Sequence, residues 1–234
     1  MERGMNERIR KLRKQSLETE PHIYMERAKL ETEAYMMYEG SVSVPELRAL
    51  SFKHFMEHKA LCINDGELIV GEKGDGPQAA PSFPELCCHT VEDMKVMDAR
   101  DLIYFRVSEE DLKVQEETII PFWEKRSIRH KILENMSEEW KDAYAAGIFT
   151  EFMEQRGPGH TVGSEKIYKK GFQDYKNDII EARNRLDFLN DKEAFDKKAQ
   201  LNAMEICCDA IMILGERYAV YARELAEKET NEIR

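Results

Sequence analysis

Apolar positions recur at helical spacing along most of this chain, and breaks in that rhythm mark the element ends. Residues 5–19 read as a charged helix that Pro21 cannot continue, because proline lacks the backbone donor a helix interior needs. Glu26 to Tyr38 fits a second helix with Gly40 as its stop. In "PELRALSFKHFMEHKAL", Pro45 suits a first turn, and Leu47, Leu50, Phe55 and Leu61 stand near helical spacing. The texture then changes. "NDGELIVGEKGDGPQAAPSFPE" opens on a turn signal, and "ELIVG" is a short apolar run between turns, so a buried strand or extended segment is expected there. Residues 73–84 are rich in glycine, proline and small side chains and predict a long loop. An extended patch is therefore expected near 67–90.

Helical texture returns at Thr90. Ser108 is a candidate N-cap with Asp111 three residues on, and Ser137 repeats the signal before a stop at Gly147. Pro121 should kink or divide the helix between them. Residues 172–228 form a last long helical segment broken at "FLND". No internal repeat or low-complexity tract interrupts this order. The pattern predicts a mostly α chain.

Composition narrows the class. Of 234 residues, 42% are hydrophobic and 35% charged, and the net charge of −11 disfavours general binding to phosphate backbones. The basic "RIRKLRKQ" is read as one face of an exposed helix. No apolar run has the length of a membrane span, and the polar start does not resemble a signal peptide, so a cytoplasmic, membrane-free setting is expected. Cys62, Cys87, Cys88, Cys207 and Cys208 are odd in number and include two adjacent pairs, which predicts buried free thiols rather than a disulfide framework.

One stretch invites chemistry. "FMEQRGPGHTVGSEKIYKKG" (152–171) halts a helical rhythm at Gly157-Pro158-Gly159 and presents His160 directly afterwards. Glycine opens backbone conformations closed to other residues and proline fixes one φ, so the turn can approach a ligand closely and aim the imidazole. From the residues alone, two readings of His160 stand: a proton donor or acceptor near neutrality, or a turn histidine bonded to neighbouring backbone. His89 after Cys87-Cys88 is a weaker candidate with no partner identifiable from spacing. His54 and His58 share a helix face at i, i+4, but no third ligand is evident, so no metal site is expected. "GEKGDG" lacks the order of a phosphate loop.

Several motifs then fall in order: "EPHIYMERAKLETEAYMMYEG", "PELRALSFKHFMEHKALCINDGELIVGEKG", "FPELCCHTVEDM", "IIPFWEKRSIRHKI", "EFMEQRGPGHTV" and "DFLNDKEAF". Together they resemble the N-terminal portion of a glycyl radical enzyme of the pyruvate formate-lyase-like type. Their wording is nearest to members that dehydrate trans-4-hydroxy-L-proline to 1-pyrroline-5-carboxylate. The resemblance covers essentially all of 1–234, as one incomplete domain. It implies the front of a ten-stranded α/β barrel, a glycyl radical carried in a C-terminal part, a partner activating enzyme that installs it with S-adenosylmethionine, and a homodimer at full length. By the match, His160 would contact the leaving hydroxyl and Phe152 would line the apolar wall around the ring, with Thr161 supporting the turn. Neither an R-V-x-G-[YF] motif nor a G-C-x-E loop occurs in these residues, so the chain alone is expected to be inactive and to expose apolar faces. Diol dehydratases, choline lyases and pyruvate formate-lyase remain alternatives within the family, and a non-catalytic helical module is the alternative outside it.

Overall fold

The computed structural model describes residues 6–149 and 164–230. Their order is α1 (Glu7–Glu18), β1 (His22–Tyr24), α2 (Glu26–Tyr38), α3 (Val44–His58), β2 (Ala79–Pro81), α4 (Val91–Ala99), α5 (Glu109–Val114), a π-helical turn (Gln115–Ile119), α6 (Ile120–Trp123), α7 (Ile128–Asn135), α8 (Glu138–Ala145), a 3₁₀ turn (Ser164–Tyr168), α9 (Phe172–Asn184) and α10 (Ala194–Lys228). The mostly α expectation holds. The chain divides into two compact units, with the division falling inside α2 after Lys29.

Helix starts follow local hydrogen-bond chemistry. Ser43, Thr90 and Ser108 each accept from the backbone three residues on, and Glu46, Asp93 and Asp111 reach back, so three capping boxes satisfy amides that a helix start leaves without partners. Gly40 and Gly147 end helices in the left-handed region, at φ +80° and +72°.

The first unit holds 6–29, 65–67 and 72–149. β1 and β2 pair in parallel, with His22 opposite Ala79 and Tyr24 opposite Pro81, and Arg106 bridges to His22 on the other side. Met25, Met94, Ile119 and Trp123 are buried hydrophobic residues of this unit. The run from α5 to α6 carries the expected disturbance at Pro121. The Ile120 amide donates to the Gln115 carbonyl, one residue further back than in an α-helix. The extra residue turns both Gln115 and Ile119 inward, where each is 1% or less exposed. Proline forms no such bond, so relaxed ladder geometry beside it forfeits little.

"ELIVG" corrects the sequence reading. It forms no strand: Leu68 and Ile69 are 77% and 91% exposed in irregular turns. No described strand runs alongside to satisfy its backbone, and an apolar run alone does not make a strand. The strand nearby is instead Ala79–Pro81, inside the segment expected to be loop. The thiol expectation also needs correction. All five cysteines are free, but only Cys208 is buried; the other four are half-buried.

The loop before β2 is pinned rather than loose. His22 Nε2 meets Asp75 Oδ1 at 2.8 Å. A Cβ placed on Gly74 would stand 2.6 Å from the Ala79 Cβ and 2.9 Å from the Tyr24 ring, so only glycine fits.

The second unit holds 30–64, 68–71 and 164–230. α9 and α10 form a helical hairpin. Lys176 Nζ donates to Asp209 Oδ1 at 2.7 Å, and Arg183 pairs with Glu205 and donates to Asn202 at 3.0 Å, which sets the helices antiparallel. Asn202 also donates to Glu46 at the start of α3, and Arg217 donates to the Met56 and Lys59 carbonyls at its end, at 2.6 and 2.8 Å. α10 therefore runs parallel to α3 and holds both ends of it. His54 and His58 stack with ring centroids 4.2 Å apart, and His54 Nε2 lies 3.3 Å from Glu33. Among the described residues, no three His, Cys, Asp or Glu side chains group for a metal.

Two outcomes test the pinned loop. Gly74→Ala should destabilise the protein by about 1–3 kcal/mol in urea melts, because it overpacks a closed site. His22 carries the second. Burial lowers its pKa, but the hydrogen bonds to Asp75 and the Glu20 carbonyl and the charges of Asp75 and Asp111 together raise it above the usual value. Its contribution is therefore full below about pH 6.5 and is lost as pH rises through the raised value. Hydrogen exchange of amides 74–79, corrected for the intrinsic rate, should lose protection over that rise, and Asp75→Asn should remove the dependence.

Candidate functional site

Site geometry in the first unit grows from the segment Ser82–His89. Arg27, on α2, donates to both Glu85 carboxylate oxygens at 2.6 and 3.1 Å and to the Ser82 carbonyl at 3.2 Å. Its guanidinium also lies 4.0 Å from the centre of the Phe83 ring. Both charged side chains are less than one-fifth exposed. On the other side, the Ile128 and Arg129 amides donate to the Glu85 and Leu86 carbonyls. The chain leaves this clamp as Cys87-Cys88-His89 and enters α4 through the Thr90 cap.

These residues separate two clefts. A polar one of about 380 Å³ is lined by Cys87, Cys88, His89, Asp93, Arg100, Glu124 and Arg129, among others. An apolar one of about 280 Å³ has Ile23, Phe83, Leu86 and Met94 in its wall, with Cys87 and His89 again at the boundary. Arg129 Nη1 donates to Cys87 Sγ at 3.4 Å, and its other terminal nitrogen donates to the Tyr144 hydroxyl. Gln115 Nε2 donates to the His89 carbonyl at 2.5 Å and lies 3.9 Å from Cys88 Sγ. The buried Gln115 Oε1 has no hydrogen-bond partner among the described residues.

Burial sets the protonation of this cluster. It pushes the Cys88 thiol up to about 12, aided by the neighbouring Cys87 and Glu124, so Cys88 keeps its proton. Burial also depresses the His89 imidazole, with the Arg129 charge adding and Asp93, 4.0 Å away, opposing. Burial works against the Asp93 carboxylate too, yet the Thr90 hydrogen bonds and the charges of His89 and Arg129 hold it below the usual carboxylate range. The result is a neutral imidazole, one held thiol and one thiol beside a guanidinium. Such a set can exchange protons and bind polar groups.

The second unit carries a larger apolar groove of about 1010 Å³ between α3, α9 and α10, with Phe52, Phe172, Tyr175, Met204 and Cys207 in its lining. The Tyr175 hydroxyl is buried there without a hydrogen-bond partner among the described residues. Burial raises the thiols of Cys207 and Cys208 as well.

His160 and Phe152, the residues singled out from the sequence, lie outside the described residues, as does Thr161. His89 does sit in a cleft with Cys87 and Cys88. Arg129 was missed. It lies 42 positions from Cys87, and no local pattern announces that contact; "SIRH" reads only as a helix start.

A family model described as pyruvate formate lyase-like matches residues 5–234. The chain is 62% identical over 232 residues to the trans-4-hydroxy-L-proline dehydratase of Clostridioides difficile, covering 99% of this chain and 29% of that protein. It is 30% identical over 228 residues to the isethionate sulfite-lyase of Oleidesulfovibrio alaskensis (strain ATCC BAA-1058 / DSM 17464 / G20), covering 92% of this chain and 27% of that one. The crystal structure of the Clostridioides difficile hydroxyproline dehydratase with trans-4-hydroxy-L-proline bound superposes with a TM-score of 0.93 at 61% identity, over 100% of this chain and 30% of that chain. The chain thus spans under a third of the length of these relatives. No helix among the described residues is long and apolar enough to cross a membrane.

His89 gives the testable consequence. Its folded-state pKa is depressed, so the unfolded chain binds a proton near pH 6.5 that the folded chain refuses until lower pH, and stability falls as pH drops below that value. Proton NMR titration should find the His89 ring titrating below 6.5. Urea midpoints should drop less from pH 7 to 5 in His89→Gln than in the parent protein.

Proposed function

The chain belongs to the pyruvate formate lyase-like family, and from that membership we propose that it is the N-terminal part of a glycyl radical dehydratase that removes water from trans-4-hydroxy-L-proline to give 1-pyrroline-5-carboxylate. One observation carries the choice of substrate: identity to the hydroxyproline dehydratase is 62%, against 30% to the isethionate sulfite-lyase. Over nearly the whole chain, identity to the dehydratase is about twice that to the sulfite-lyase.

In this reading the radical belongs to chain beyond these 234 residues, where an activating enzyme using S-adenosylmethionine would install it. It supplies hydrogen abstraction from the substrate. No step of radical formation falls to the residues present, which contain neither R-V-x-G-[YF] nor G-C-x-E. Their task is reception of the substrate and departure of water. Hydroxide is a poor leaving group, and a proton from a positioned acid converts it to water. His160, aimed by Gly157-Pro158-Gly159, is the acid, and the small residues let backbone come close to the ring. Phe152 supplies apolar wall against the ring carbons. The complete enzyme works as a homodimer in the cytoplasm.

A substitution in the complete enzyme tests His160. His160→Ala should leave the glycyl radical signal in electron spin resonance intact while turnover falls by about 10²- to 10⁴-fold, the range general acid catalysis provides. Normal turnover beside a normal radical signal would remove His160 from the role.

A further inference from the structure

We infer that Cys87 is a thiol–disulfide exchange site, accepting half of a small disulfide that bears amino-acid head groups, in the polar cleft between α4 and α7. The inference stands on the geometry of the first unit and is independent of the dehydratase reading.

The two adjacent thiols are not equivalent. Cys87 Sγ receives a guanidinium N–H from Arg129 at 3.4 Å. A fixed guanidinium at that distance can answer the negative charge the sulfur carries while it attacks in exchange. Cys88, the next residue, lies beside the buried Gln115 amide and keeps its proton. Position in the fold therefore separates an attacking sulfur from a silent one. Arg129 is itself held: its backbone amide donates to Leu86, and its second terminal nitrogen donates to Tyr144. The cation stays over Cys87 without needing the sulfur to hold it.

The cleft has the size and charges for the proposed co-reactant. About 380 Å³ lies within the range of small-ligand sites. Arg100 and Glu124 both line it, and neither side chain has a hydrogen-bond or ion-pair partner among the described residues. One is free for a carboxylate and the other for an ammonium, the two head-group charges of an amino acid. A thiol-bearing amino acid seated between them would present its sulfur toward Cys87.

The step balances. The Cys87 thiolate attacks one sulfur of the small disulfide, a protein–ligand S–S bond forms, and the original S–S bond breaks. The departing thiolate takes a proton from water. Cys87 is oxidised and the released half is reduced, with no further oxidant. Excess thiol of the same kind reverses the reaction.

Exposure of the protein to cystine, or separately to the uncharged hydroxyethyl disulfide, followed by acid quenching and peptide mass spectrometry, tests this. A single adduct should form on Cys87 about tenfold faster than on Cys62, Cys88, Cys207 or Cys208, and cystine should react faster than hydroxyethyl disulfide once scaled to a free-thiol reference. Arg129→Leu should slow Cys87 about tenfold, and Arg100→Ala should abolish the preference for cystine. Arg129→Lys, which keeps a cation beside the sulfur, should retain most of the parent rate, and so separates loss of the charge from an Arg129→Leu variant that fails to fold. Adducts spread evenly over the cysteines, an adduct on Cys88, a Cys87–Cys88 disulfide, no adduct at all, or an Arg129→Leu variant as fast as the parent would each overturn the assignment.

Discussion

The constraint beneath the first unit is the ion pair of Arg27 with Glu85. A guanidinium removed from most of its water must have its donors answered, and here two carboxylate oxygens, a carbonyl and an aromatic face answer them. Loss of either partner strands the other charge in a poorly hydrated place. The pair therefore fixes more than its own geometry. It joins the start of α2 to the segment that leads into Cys87, Cys88 and His89, and the amides of Ile128 and Arg129 complete the fixation from the start of α7. The cleft is a consequence of that clamp. The walls of the polar cleft come from two stretches distant in sequence, 87–100 and 124–133, and the clamp joins them at Glu85 and Leu86.

The second unit solves a different problem. A 35-residue helix lacks enough local stabilisation to choose its neighbours, so the choice falls to paired polar groups at intervals along it. Asn202 addresses the first turn of α3 and Arg217 the last. Two charged residues of α9 address positions 205 and 209. Between these polar contacts lie the small buried residues Ala203 and Ala210, which let backbones approach. The groove that remains is apolar because polar contacts were placed at the ends of α3 and along one side of α9.

Much of this organisation was legible in the residues. Ser108 and Ser137 announced helix starts because a short hydroxyl side chain beside an unpaired amide is a local matter, and Pro45 announced a first turn. Gly40 and Gly147 announced stops for the same reason. The break at "FLND" is likewise local: the Asp187 side chain accepts from the amides of Leu189 and Asn190. What failed was whatever depended on a distant partner. "ELIVG" has the composition of a buried strand, but a strand exists only through its neighbour, and none stands there. The parallel pairing of 22–24 with 79–81 could not be read either, since three residues carry too little pattern. Arg129 belongs to the same class: its meaning lies in a sulfur that the fold brings near. The family resemblance, by contrast, was readable because it lies in the order of many modest motifs rather than in any single contact.

The π-helical turn at Gln115–Ile119 has a bearing on how this protein can change over time. Each residue in an α-helix turns the chain by about 100°, so one inserted residue redirects everything after it unless a wider loop absorbs it. Here the wider loop brings Gln115 beneath the His89 carbonyl while Trp123 still points inward. A lineage that lost a single residue from this stretch would swing either the glutamine or the tryptophan toward solvent. Substitutions can accumulate along α5 and α6, but their length is locked, and a change in residue count there should be rarer among descendants than a change of residue type.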